Sequence, residues 1–325
     1  MFGGSRRVVT GLDIGTESVK AIRLLHAGGS VRLVGIALAD IDLDGKTSEN
    51  EKSAATISAI RDALKASGTD ISASCQVVTA VEGPNISVKH VTFPKMPNPS
   101  LAESIGWEAK KHVPFGASDF ALDFQSLPRE VAEGENEMHV LLAAVEQRHI
   151  DDHVGLVCEA GVEPYTVDLV PLALVNELDA EGLIADGAVA VVEIGVGTLS
   201  VSLYRAGGLL LVRSVRMPGR TGDGPRGADE DAATTQQWQT FVLKEVQRSL
   251  AFYNSETRRR GIDRIYLSGG RALSEGVAGR FTDALKVPTE ILNPLDGAVK
   301  TDIDIENLKG QGPRFALALS LARRM

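Results

Sequence analysis

The chain has 325 residues, a formal net charge of −9, 43% hydrophobic and 24% charged residues, which is the ordinary balance of a globular protein long enough for two core-bearing lobes. The acidic surplus argues against a general nucleic-acid binder, which carries a basic face. Two cysteines, Cys75 and Cys158, supply neither a disulfide framework nor a four-thiolate zinc site, and both are read as buried thiols in a reducing cytoplasm. No apolar run approaches the roughly 18 residues of a membrane span, and Arg6 and Arg7 are not followed by the apolar core of an export signal.

Val8 to Leu25 reads as an apolar strand ending in an acid, a glycine-bearing turn, and a strand running back. A third strand at Val31 to Ala39 completes a meander. Asp42 to Lys52 is a polar link into a helix from about Ser53 to Ser67, with Ala54, Ile57, Ile60 and Leu64 at helical spacing. Gln76 to Val81 is a strand that runs out into Glu82-Gly83-Pro84-Asn85. Glu82 either faces a cleft or, as the favoured reading, is a solvated loop acid.

From Ile86 the texture changes. Ile86 to Phe93 alternates as a strand, and Pro94, Pro97 and Pro99 make a stiff turn. Ser100 with Glu103 has the capping-box spacing for a helix through His112 that Pro114 stops. Strands at Asp119 to Phe124 and Met138 to Val145 and a helix from Arg148 to Ala160 close a β-α-β-β-α unit. His149 and His153 have the one-turn spacing of metal ligands, but no third ligand is near, and an exposed helix face is expected.

Val162 to Asp168 is a strand, and Pro171 begins a helix reaching Leu183. Val189 to Arg205 then repeats the opening hairpin: Asp13 falls on Glu193, Gly15 on Gly195, Ser18 on Thr198, and Ala27-Gly28-Gly29 on Ala206-Gly207-Gly208. Its third strand is Leu209 to Arg216. Pro218 to Ala233 reads as a mobile loop. A long helix follows from Thr234 to about Arg259, with Val242, Val246, Leu250 and Tyr253 on one stripe and Arg258, Arg259 and Arg260 at the negative end of its dipole. Ile265 to Ser268 is a short strand running into Gly269-Gly270 and a helix from Leu273 to Leu285. Thr301 to Glu306 alternates acids as a solvated surface segment would. The final helix, Pro313 to Arg324, is apolar nearly all round, the mark of a buried helix rather than a membrane-surface one.

The repeat carries the chemistry. An acid at the end of a buried strand can hold a hydrated divalent cation through hard oxygen ligands. Glycines in the next turn bring backbone N–H groups up to phosphate oxygens, and the hydroxyls of Thr16, Ser18 and Thr198 can add hydrogen bonds. Either turn alone reads as an ordinary hairpin. Two copies half a chain apart imply two like domains facing one another across a cleft.

On these residues the chain resembles the actin-like ATPases, and among them the PilM family of type IV pilus assembly, itself similar to the cell-division protein FtsA. The superfamily signal is G-L-D-I-G-T-E-S-V-K (11 to 20), V-E-I-G-V-G-T (192 to 198) and L-S-G-G-R-A (267 to 272). The family signal is V-K-H-V-T-F-P-K-M-P (88 to 97), I-G-W-E-A-K-K-H-V-P-F (105 to 115), V-L-L-A-A-V-E-Q-R-H-I-D-D-H (140 to 153), G-V-E-P-Y-T-V-D-L-V-P-L-A-L (161 to 174), V-Q-R-S-L-A-F-Y-N-S (246 to 255) and V-P-T-E-I-L-N-P-L (287 to 295).

The resemblance implies an α/β, duplicated ribonuclease H-like fold. Lobe one would span 1–85 and 166–186, with an inserted subdomain at 86–165. Lobe two would span 187–233 and 263–312, with a helical part at 234–262, and a C-terminal helix at 313–325 would pack on the core. It implies ATP and Mg²⁺ between the lobes, with Asp13 and Glu193 on the metal. Gly15, Thr16, Glu17, Ser18, Lys20, Gly195, Val196, Gly197 and Thr198 would surround the phosphates, and Gly269, Gly270, Arg271, Glu245 and Arg248 the adenosine. Glu82 is the candidate catalytic acid. The implied partner is the cytoplasmic N-terminal segment of a PilN-like membrane protein, held between lobe one and the insert, which would place the chain at the inner face of the cytoplasmic membrane. Glu193, where aspartate is usual, and Glu17, where small hydroxyl residues are usual, imply at most weak ATPase activity. Self-association as a polymerising scaffold is the alternative; a small sugar kinase of the same superfamily ranks below it, because such kinases commonly carry a cysteine-rich zinc motif and Glu82 is the one candidate sugar-binding acid.

Overall fold

The computed structural model describes residues 6–46, 48–71, 75–113, 119–127, 136–184, 187–205, 208–218, 232–257, 261–296, 300–301 and 303–324. The chain opens with a meander of β1 (Arg7–Ile14), β2 (Ser18–Ala27) and β3 (Ser30–Asp40), in which β1 and β2 run antiparallel with Asp13 opposite Lys20. Helix α1 (Glu49–Ala66) starts four residues earlier than its apolar stripe suggests. Ser48 and Glu51 form a reciprocal capping box, satisfying two N–H groups that a helix start otherwise leaves open. Strand β4 (Gln76–Val81) then lies parallel to β1.

The next unit builds its own sheet. Strand β5 (Ile86–Pro94), helix α2 (Asn98–His112), β6 (Phe120–Ser126) and β7 (Glu137–Glu146) form a three-stranded antiparallel sheet of order β5-β7-β6. Its core is Val91, Phe93, Leu101, Ile105, Ala109, Val140 and Leu142. The capping box expected at Ser100 and Glu103 is not formed: α2 begins at Asn98, its N-cap is Pro97, and no side chain caps it. Prolines in the first turn have no N–H there to satisfy. The helix ends at His112, and Pro114 lies outside the described residues.

Helix α3 (Gln147–Glu159) packs against both units, on β6 and β7 of the insert and on α1 and β4 of lobe one. Strand β8 (Thr166–Leu169) starts four residues later than expected, because Pro164 offers no N–H to a ladder. Helix α4 (Val170–Ala180) follows directly. The repeat then comes as β9 (Ala188–Ile194), β10 (Thr198–Arg205) and β11 (Gly208–Arg216). After it come α5 (Ala232–Thr257), β12 (Arg264–Ser268), α6 (Val277–Leu285), β13 (Thr289–Ile291), β14 (Lys300–Thr301) and α7 (Ala316–Ala322). The expected loop at Pro218 to Ala233 and the arginines at 258–260 fall largely outside the described residues.

Sheet order shows the duplication directly. Lobe one reads β3-β2-β1-β4-β8 and lobe two β11-β10-β9-β12-β13. In each, the first three strands are antiparallel neighbours and the last two run parallel to the first strand of the repeat. This is the duplicated α/β, actin-like arrangement that the two hairpins imply. Strand β14 adds to the outer edge of lobe one beside β3. The segment expected to be a solvated surface is therefore partly structural: Ile305 is buried, while Asp304 and Glu306 stay exposed.

Between β12 and α6 the chain makes a 3₁₀ turn at Gly270–Leu273, so α6 starts four residues later than expected. Another such turn, Glu306–Phe315, leads into α7, every residue of which is buried. This helix lies against β1, β2, β4 and α4. Gly11 of β1 touches it so closely that a Cβ there would stand 1.9 Å from the Ala318 carbonyl oxygen. The cysteines are less enclosed than their composition suggests: Cys75 is half-buried and Cys158 exposed on α3.

Candidate functional site

The two repeated turns have the same internal wiring. Gly15 N–H donates to the Ser18 carbonyl at 3.1 Å, and Gly195 N–H to the Thr198 carbonyl at 3.0 Å. The strand returning behind each turn pins it again: Ile41 N–H to the Glu17 carbonyl at 2.8 Å, and Met217 N–H to the Gly197 carbonyl at 2.9 Å. The turns also confront each other, for a Cβ on Gly197 would stand 2.5 Å from Thr16 Oγ1. Gly269, at φ +88°, closes the third side, and a Cβ there would strike the Ile194 carbonyl oxygen at 2.6 Å. Only glycine takes that backbone and that contact together.

These elements enclose a cavity of about 720 Å³. Its walls include Asp13, Gly15, Thr16, Glu17, Ser18, Lys20, Glu82, Glu193, Gly195, Val196, Gly197, Gly269, Gly270 and Arg271. Thr198 stands behind the second turn with its hydroxyl on Glu82. Glu245 and Arg248 do not line the cavity. Glu245 is buried on α5 and held by Arg213 at 2.9 Å and by Arg248, so this carboxylate is committed to fastening β11 to α5.

Sequence reasoning also missed wall residues. Thr235 comes from the start of α5, Leu273, Ser274 and Glu275 from the turn after β12, Gln311 and Arg314 from the approach to α7, and Leu317 from α7 itself. Arg314 donates to Ser18 Oγ at 3.2 Å and to Gln311 Oε1 at 2.9 Å, which puts a cation on the first turn beside Lys20. The only signal was an arginine just ahead of a buried apolar helix.

The acids sit in an unusual field. Asp13 is paired with Lys20 at 3.2 Å. Glu193 is pushed up to about 8 by burial and by the charges of Asp13 and Glu82, against a hydrogen bond from Ser268 and the charge of Lys20. Its Oε2 is buried with no hydrogen-bond partner among the described residues. Glu82 is likewise raised to about 7 by burial and Asp13, against Lys20 and Thr198. The solvated-loop reading of Glu82 is thus wrong: the acid faces the cavity, because the Glu82 carbonyl accepts from His149 Nε2 at 2.8 Å and α3 covers the end of β4.

The same contact corrects the reading of the histidine pair. Neither side chain lies on an exposed face: His153 Nε2 sits 2.9 Å from Thr79 Oγ1, and burial followed by the nearby His149 lowers its pKa to about 4. The pair fastens α3 to β4.

A second hollow, of about 640 Å³, opens between the face of the β5-β7-β6 sheet and lobe one. Leu141, Ala143, Asp123 and Gln125 line one side, and Leu172, Val175, Asn176 and Asp179 of α4 the other. His26, Arg323 and Arg324 also line it. Arg323 donates to Glu177 at 2.6 Å, and Arg324 pairs with Asp168.

The family model described as type IV pilus assembly protein PilM matches residues 11–223 and 225–325. The chain belongs to the PilM family. Among solved structures, one described as a PilM–PilN type IV pilus biogenesis complex contains a chain 26% identical to this one, with 97% of each chain covered and a TM-score of 0.78. Looser likenesses, too distant to bear on function, run to the ethanolamine utilization protein EutJ of Carboxydothermus hydrogenoformans, at 14% identity, 97% and 89% coverage and a TM-score of 0.47.

For this PilM-family chain the charge balance of the cleft matters. Five wall acids (Asp13, Glu17, Glu82, Glu193, Glu275) face three wall cations (Lys20, Arg271, Arg314). With Glu82 and Glu193 held toward their neutral forms the walls are near balance, so a polyphosphate would leave the cleft strongly negative and fits best together with a cation. The bare Glu193 Oε2 and the two raised carboxyls fit that requirement, since a cation beside them would favour their charged forms. Among the described residues no three acid or imidazole side chains close on one point as ligands. The donor set therefore suits a hydrated ion rather than a dehydrated one.

Proposed function

We propose that the chain is a nucleotide-binding adaptor of type IV pilus assembly, taking ATP with Mg²⁺ in the cleft and the cytoplasmic N-terminal segment of a PilN-like membrane protein in the second hollow. The observation that carries the nucleotide half is the confrontation of two identically wired, acid-tipped turns, with Thr16 against Gly197. Asp13 and Glu193 would hold the hydrated metal. The N–H groups of the two turns, with Thr16, Ser18, Lys20 and Arg314, would hold the phosphates, and Gly269, Gly270 and Arg271 the adenosine. Arg271 stacks on Trp238 with its guanidinium carbon 5.3 Å from the ring centroid, which stiffens the adenosine end of the cleft.

Bound Mg²⁺ would supply charge stabilisation to the phosphates. Glu82, held near neutrality, is the residue suited to take a proton from an attacking water. The longer Glu193 and the acidic Glu17 set this activity at a low level. The peptide half rests on the second hollow, which lies between the inserted unit and lobe one. Through that partner the chain stands at the inner face of the cytoplasmic membrane.

Calorimetric titration with ATP–Mg²⁺ tests the cleft. The wild type binds and Asp13→Ala does not. Unchanged affinity in the variant refutes the metal assignment.

A further inference from the structure

The second hollow has a chemical polarity that can be read from its own side chains. His26, only 6% exposed, lines it. Its Nε2 lies 2.9 Å from the Ala322 carbonyl oxygen. A carbonyl can only accept, so Nε2 carries the hydrogen, and in the neutral ring Nδ1 is a bare acceptor. That Nδ1 is buried and has no hydrogen-bond partner among the described residues. A buried acceptor left unmatched forfeits the hydrogen bond that water gave it in the unfolded chain.

The charges point the same way. Arg323 and Arg324 bring two cations to the hollow, but Glu177, Glu181 and Asp168 already engage them. Asp123 on β6 and Asp179 on α4 are exposed and, among the described residues, have no cationic partner. Among the described residues Asp123 accepts from the Phe124 backbone N–H, at 2.8 Å. Leu141, Ala143, Leu172 and Val175 line the hollow between these polar groups.

We propose that this hollow selects a segment that donates: apolar along its length, with one hydrogen-bond donor for His26 Nδ1 and a positive charge, from a basic side chain or a free amino terminus, between Asp123 and Asp179. The inference rests on the PilN reading and specifies which peptides that reading admits.

The test is fluorescence anisotropy in mildly alkaline buffer. The probe is a synthetic peptide copying the cytoplasmic N-terminal segment of the PilN-like partner. A second probe has the same sequence with its lysines and arginines changed to glutamine and its amino terminus acetylated. The neutral probe and the Asp123→Asn/Asp179→Asn double variant each bind about 3–10-fold more weakly than the native pair at low salt, and the loss shrinks as salt rises. His26→Gln keeps a donor for Ala322 but loses the ring nitrogen that accepts at the Nδ1 position, so it weakens binding about tenfold, or ~1.4 kcal/mol.

Equal affinity for the two probes, or wild-type affinity in the aspartate variant, overturns the proposal while leaving the PilN reading standing. A wild-type protein that ignores the native peptide overturns both. Should His26→Gln lose its thermal transition, the two exposed aspartates decide alone.

Discussion

Replacing Gly11 with alanine forces a methyl group into the backbone of α7. The added Cβ would stand 1.9 Å from the Ala318 oxygen and 2.6 Å from the Ala322 nitrogen. Ordinary carbon–oxygen contact begins near ~3.3 Å, so helix and strand must part by about 1.4 Å along that line. Neither side yields easily. Strand β1 is held between β2 and β4, and α7 is buried on every residue. Overpacking of this kind costs about 1–3 kcal/mol or more. Removing a glycine returns only about 0.4–1 kcal/mol through the unfolded chain, so the clash wins and the net loss is about 2 kcal/mol. At roughly 2–4 °C per kcal/mol for chains of this order, the midpoint of thermal unfolding by circular dichroism falls by about 4–8 °C. Both hollows loosen as well, because Leu317 lines one and Arg323 the other. A midpoint within 1 °C of wild type refutes the close packing of β1 on α7.

Three other outcomes follow from the cleft and its surroundings. A carboxyl whose pKa is higher folded than unfolded stabilises the fold below the unfolded value and loses that stability as pH rises through the folded one. That window runs from 4.5 to about 8 for Glu193 and from 4.5 to about 7 for Glu82. The nucleotide-free protein should therefore melt lower at pH 8.5 than at pH 6, with Glu193→Gln flattening the slope; a full slope retained in that variant counts against the buried acid pair. Glu245→Gln, which weakens the clasp to Arg213 and Arg248, should cost about 1–2 kcal/mol in urea unfolding and leave ATP affinity unchanged; a fivefold loss of affinity would return Glu245 to the nucleotide site. In a Trp107→Phe variant Trp238 is the single remaining tryptophan, and ATP–Mg²⁺ should alter its emission through Arg271; a flat titration separates Arg271 from the ligand.

The duplicated hairpins were legible because each is a local pattern. Asp13, Gly15 and Ser18, like Glu193, Gly195 and Thr198, are fixed within six residues of one another, and the repeat betrays itself by spacing. The buried final helix was legible too, from its unbroken apolar circumference. What failed depended on which element covers which. Glu82 and the His149–His153 pair were assigned to solvent because nothing in β4 or α3 says that one caps the other. Glu245 is a separate case: the resemblance puts it near the adenosine, while its carboxylate pairs with Arg213 on β11 and is not among the cavity walls. Arg314 and Thr235 reach the cavity from stretches remote in sequence from either turn. The Ser48–Glu51 cap was readable from its spacing and was hidden only by its position in a charged link.

The seating of β1 on α7 also sets an order of events during synthesis. Domains ordinarily complete their cores as they leave the ribosome, amino-terminal part first. Here the strand at residues 7–14 finds its apolar cover in a helix at 316–322. Lobe one can therefore draft its sheet early but cannot finish its interior until some three hundred further residues have been made. A chain stopped before residue 316 would leave that sheet with an uncovered greasy face, so a helix some three hundred residues downstream acts as the keystone of the lobe begun at β1.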